Sequence, residues 1–172
     1  SMALTARLPA GQVGICFCLA GLASVAGARG DTETAGALWG AAESLYEDLD
    51  LSLGPFSPER RRLYRATLDR LPRDRLRTAV AEGRRLTVDE AVMRATNRWI
   101  AEDVPRRSFV ALCYAMLNVT TRQLALANGG QLTPLRRGLD GRVEYLEVPG
   151  PTLPLGIMPD TPYAAREVAL NP

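Results

Sequence analysis

The side chains whose type and spacing could do chemistry in this chain are two acidic pairs and one thiol. Glu43 and Glu47 stand four residues apart, so a helix places both carboxylates on one face, where a hard cation could be held weakly. Asp48 and Asp50 extend that cluster, and a solvated helical face accounts for it equally simply. Glu102 and Asp103 precede Pro105 at an expected helix end. They are candidate carboxylates for a hydrolase, against the plainer role of surface ion pairs with Arg98, Arg106 or Arg107. Cys113 is the candidate nucleophile, but it falls in an apolar run, where burial raises a thiol's pKa and leaves it inert. Asn128, Gly129 and Gly130 could form an oxyanion-type nest; a hairpin turn explains them with less. Against all of these stands one restriction: the chain has no histidine. No Ser-His-Asp or Cys-His arrangement and no His-ligated zinc site can be built from it.

The elements that must position these groups fall into two halves. Residues 12 to about 103 read as helical. Apolar residues recur at helical spacing over 13–26. Gly30 then stops one helix, and Asp31 caps the next, whose face carries Ala37, Leu38, Ala41, Leu45 and Leu49. Ser57 is the expected N-cap of a third helix with Pro58 at its first position. Pro72 begins a fourth that runs to Ala81 and is closed by Gly83. Thr87-Val88-Asp89-Glu90 is a capping box that starts a fifth, with Val88, Val92, Ala95, Trp99 and Ile100 near one face. From Ser108 the period changes to that of strands. "SFVALCYAMLNV", "RQLALAN", "RVEYLEV", "LPLGI" and "AREVAL" are divided by turn residues, and Asp140-Gly141 is a strong hairpin signal. These runs read as an antiparallel meander.

The bulk numbers bound the rest. A chain of 172 residues, 47% hydrophobic and 23% charged, is long enough for one good core or two small units. Its longest apolar run, "VGICFCLAGLASVAGA" at 13–28, is too short for a membrane span and reads as a buried helix. Ser1-Met2 reads as an expression scar, and residues 1–11 as a flexible start. The three cysteines, Cys16, Cys18 and Cys113, are expected as reduced core thiols in a cytoplasmic protein. The net charge is +2, and all 21 basic residues are arginines. Ten of them crowd into 60–85. Glu59, Asp69, Asp74 and Glu82 are interleaved and no aromatic series accompanies them, so a solvated face is preferred to a nucleic-acid surface.

Several phrases resemble known families. "GICFCLAGLASVAGARGDTETAGALWGAAESL", "SPERRRLYRATLDRL" and "AVAEGRRLTVDEAV", within residues 12–94, are similar to the tetratricopeptide-like helical tails of bacterial LuxR-type and ATPase-type regulators. "ATNRWIAEDVPRRSFVALCYAMLN", "LALANGGQLTPLRR", "RVEYLEVPGPTLPLGIMPD" and "YAAREVALNP", within 95–172, resemble the middle of the SpoIIE/RsbU-type serine phosphatase domain of the metal-dependent PPM class. That resemblance implies a two-sheet sandwich with flanking helices. It also implies two divalent cations held by aspartates in segments that lie before and after the phrases matched. No metal-binding residue therefore carries over, and no cofactor is expected.

The expected fold is α+β: N-terminal helical hairpins packed on a C-terminal antiparallel sheet, a partial phosphatase-type sandwich, the two sharing a core. The expected function is a non-catalytic interaction or regulatory fragment, a chimera of regulator tail and phosphatase scaffold. Two alternatives stay open. One is a hydrolase of activated phospho- or carboxyl esters, using carboxylates or a thiol in a cleft between halves or at a dimer interface. The other is an arginine-mediated nucleic-acid binder. A homodimer through an exposed sheet and a protein partner on the helical region are the expected associations, with no membrane contact.

Overall fold

The computed structural model of the chain describes residues 10–49, 58–105 and 108–170. It is α+β, with five helices preceding five short strands. The chain divides into two compact units, residues 1–88 and 89–172.

The first unit holds α1 (Ala10–Ala28), α2 (Thr32–Asp48), α3 (Pro58–Leu68) and α4 (Arg73–Gly83). Asp31 caps α2 as expected, its carboxylate accepting from the Thr34 amide at 3.1 Å. Ser57, the cap expected for α3, lies outside the described residues. Helix α2 packs on α1 and α4, and α1 also packs on α3. The core of this unit is built largely of alanine, closed by fully buried Cys16, Leu19, Leu38 and Leu68. Small residues let the helices approach closely. A Cβ on Gly40 would sit 2.2 Å from the Val80 carbonyl oxygen, and one on Gly83 would sit 2.3 Å from that of Ala37. This corrects the reading of Gly83 as a residue beyond the helix. α4 runs through Gly83, and the glycine is there for the crossing with α2, not as a stop. Cys18 is also corrected: it is exposed, while Cys16 is buried, because two residues along a helix turn the side chain to the far side. No helix among the described residues is long and apolar enough to cross a membrane.

Nearly all of α5 (Val88–Asp103) belongs to the second unit, and it starts where the capping box places it. β1 (Leu112–Asn118), β2 (Gln123–Gly129) and β5 (Ala165–Ala169) form an antiparallel sheet in the order β1-β2-β5. β3 (Leu135–Arg137) and β4 (Val143–Tyr145) form a separate hairpin, turned at the expected Asp140-Gly141 with Gly141 at φ +80°. The expected single meander is therefore two sheets. "LPLGI" contributes only an isolated bridge, Leu155 to Val110. Pro154 and the positive φ of Gly156 break the strand on either side of it.

Alternation puts two apolar clusters on opposite faces of the three-stranded sheet. Met93 of α5 packs with Ala127, Leu155 and Tyr163, supported by Ile100, Leu112 and Tyr114. On the other face Leu126, Leu146 and Val168 pack with Cys113, Leu124, Val148 and Leu170. Of the expected stripe, Ala95 is buried and Ile100 packs against the Met93 cluster, while Val88, Val92 and Trp99 are only half-buried; Asp89, Ala91, Met93 and Asn97 complete the buried side of α5.

Candidate functional site

In the first unit the carboxylates of α2 meet arginines from two other helices. Arg61 of α3 donates to Glu43 at 2.9 Å. Arg84, just past α4, donates to Glu43 at 3.5 Å and also to Glu47. The Arg84 hydrogen bond holds the Glu47 carboxyl below its usual range, and the same contact pushes the Arg84 guanidinium up. Beside this network lies a cavity of 130 Å³, walled by Ala20, Trp39, Ala42 and Tyr46, with Glu43, Glu47 and Arg61 also lining it. A cation here would have to displace an arginine from each carboxylate. The arrangement suits a small apolar or aromatic group with a polar rim better than a metal ion. Other arginines of the 60–85 stretch are paired too: Arg65 with Asp69 at 3.6 Å, Arg77 with Asp74 at 3.3 Å, and Arg75 with Glu33. Arg61, Arg65, Arg75, Arg77 and Arg84 thus each meet a carboxylate of the same unit.

In the second unit the polar residues organise backbone. Asn97 is fully buried on α5. Its side-chain oxygen accepts from the Gly156 amide at 2.9 Å, and its Nδ2 donates to the carbonyls of Met158 and Pro159 at 2.7 and 2.8 Å. One amide thereby fixes the whole turn that follows Leu155. Asn128 does the same on β2: Oδ1 accepts from the Gln131 amide and Nδ2 donates to the Gln131 carbonyl, both at 2.9 Å. The turn that results needs Gly130 at φ +85°, with Pro154 pressed so close that a Cβ would lie 2.6 Å from its ring. Tyr163 donates to the Leu153 carbonyl at 2.8 Å, and Thr161 Oγ1 to that of Met158 at 2.9 Å. The Asn-Gly-Gly-Gln and Pro-Leu-Gly-Ile phrases meet across Gly130 and are locked by side-chain amides.

The structure scatters the other residues singled out above. Cys113 is half-buried in β1 against the Leu126 cluster, and burial pushes its thiol up, away from the thiolate a nucleophile needs. Glu102 is exposed and lies 3.6 Å from Arg98, one turn back on α5; Asp103 is exposed at the helix end. Among the described residues no three His, Cys, Asp or Glu side chains converge as metal ligands would. The donor set present does not fit the two cations that the phosphatase resemblance implies.

Asp89 is the perturbed carboxyl that the sequence did not single out. Only 5% exposed, it has one side-chain oxygen without a hydrogen-bond partner. Burial pushes its carboxyl up, offset in part by a hydrogen bond from Tyr114. It lies in the first turn of α5, with Tyr114 of β1 beside it.

Comparison with known protein families gives a match. The profile of the family described as Stage II sporulation protein E (SpoIIE) matches residues 65–172, more than half of the chain. The matched region begins inside α3, ahead of the phrases from residue 95 onward. No curated protein and no solved structure matches the chain.

Proposed function

The chain belongs to the Stage II sporulation protein E family, and from that premise we propose that it is a regulatory or interaction module built on a phosphatase-family scaffold, without phosphatase turnover of its own. The observation that carries this reading is how the matched segment uses its polar side chains. Asn97, Asn128, Thr161 and Tyr163 all bond to backbone and hold turns. Glu43 and Glu47 of the helical unit are paired with arginine. Two-metal hydrolysis needs carboxylates that hold both ions and position a water between them. In the residues described here the acidic groups are apart or already engaged. The helical region, acting in the manner of a tetratricopeptide-like regulator tail, offers the Trp39–Tyr46 cavity to a side chain of a protein partner in the cytoplasm. Calorimetric titration of the full chain with Mn²⁺ tests the reading. Heats no larger than dilution are expected. Saturable binding of one or two ions per chain would overturn it.

A further inference from the structure

We propose that two copies of this chain pair antiparallel through β1, about a twofold axis at Ala115, to make one six-stranded sheet. β1 and β5 are the two edges of the three-stranded sheet. Along 113–118, β2 is the only strand that pairs with β1 among the described residues, so a row of backbone N–H and C=O groups faces outward. Edges of this kind are normally guarded by charge, proline or a bulge. β5 is guarded: it carries Arg166 and Glu167, and Arg136 donates to the Ala169 carbonyl at 2.9 Å. β1, "LCYAMLN", has no charge, no proline and no glycine over seven residues.

The sequence of β1 is complementary to itself in one register. With Ala115 on the axis, Tyr114 faces the partner's Met116 and Cys113 faces the partner's Leu117, within the stretch that pairs only with β2. No like charges meet. Tyrosine against methionine is a favourable sulfur–aromatic pair on the α5 side of the sheet. Ala115 is exposed and small enough to lie beside its own copy. Leu117, half exposed in the single chain, gains a neighbour. The second face of the sheet does not need the partner over β2 and β5, because Leu146 and Val148 of the same chain already cover it. The pairing therefore runs through the edge, and a strand-wide interface of this kind is at the small end of specific contacts, so the dimer should form in a concentration-dependent way.

Light scattering on the full chain, with A115K and A115E, tests this. Wild type should rise with concentration to about twice the single-chain mass of 18.7 kDa. Each charged variant alone should stay at the single-chain mass, because the axis brings two like charges together. An equimolar mixture of the two should return to the doubled mass. A115S, small and neutral, should behave as wild type. Any of three results overturns the proposal: a wild type that stays at 18.7 kDa at all concentrations, charged variants that still dimerise, or a mixture that stays monomeric, which would leave the edge to an extended peptide of another protein.

Discussion

Replacing Asn97 by alanine removes three hydrogen bonds from a fully buried side chain. The carbonyl of Met158 keeps other donors, the amide and hydroxyl of Thr161. The Gly156 amide and the Pro159 carbonyl lose the partner described for them. Pro159 is exposed, so water can take over its carbonyl, whereas the half-buried Gly156 amide left unpaired costs roughly 1–3 kcal/mol, and the void left by the amide adds to that. The expected loss is about 2–3 kcal/mol, a sizeable part of the roughly 5–15 kcal/mol that holds a domain folded. Urea titration followed by circular dichroism should show the midpoint fall sharply. N97D refines the test. A carboxylate can still accept from the Gly156 amide, but it opposes two carbonyl oxygens; once protonated, it can donate to one of them. N97D should therefore be as destabilised as N97A at neutral pH and recover partly as the pH falls. A loss below about 1 kcal/mol for N97A, within the range of ordinary surface changes, would refute the view that this amide fixes the turn.

D89N should raise the thermal midpoint at neutral pH and flatten its pH dependence. The folded pKa of Asp89 lies above its ordinary value of 3.8, mainly through burial, so its stabilising contribution is complete below that value and is lost as pH rises through the folded pKa; a wild type and D89N with parallel melting curves from acid to neutral pH would contradict this. G40A should cost about 1–3 kcal/mol by overpacking, since its Cβ would meet the backbone of α4 and not a movable side chain; an unchanged urea midpoint would show that α2 and α4 do not cross there. Cys18 should react with Ellman's reagent in the native protein while Cys16 waits for unfolding; equal rates would contradict the burial of α1.

The fold was legible wherever a local signal decides the outcome. Asp31 caps α2, α5 starts directly after Thr87, and the chain turns at Asp140-Gly141. Gly83 misled because a glycine near a helix end has two uses, a stop or a close crossing, and only the position of α2 distinguishes them. The same holds for α5. Its apolar stripe points to Val92 and Trp99, whereas the buried line includes Asn97, a residue that propensity assigns to the surface. Three backbone partners, 59 to 62 residues away in sequence, make that burial affordable. Asp89 was invisible for a related reason: its burial comes from residues distant in sequence, Tyr114 among them, which no local pattern places beside it. The run "LPLGI" looked like a continuous strand, and Pro154 and Gly156 reduce it to a single bridge at Leu155.

The most direct test of the scaffold reading is turnover of a phosphoserine peptide by the full chain, with and without Mn²⁺ and with chelator. The account predicts no metal-stimulated hydrolysis above the protein-free rate. Chelator-sensitive turnover at about 1 s⁻¹ or faster, the range of ordinary enzymes, would contradict it.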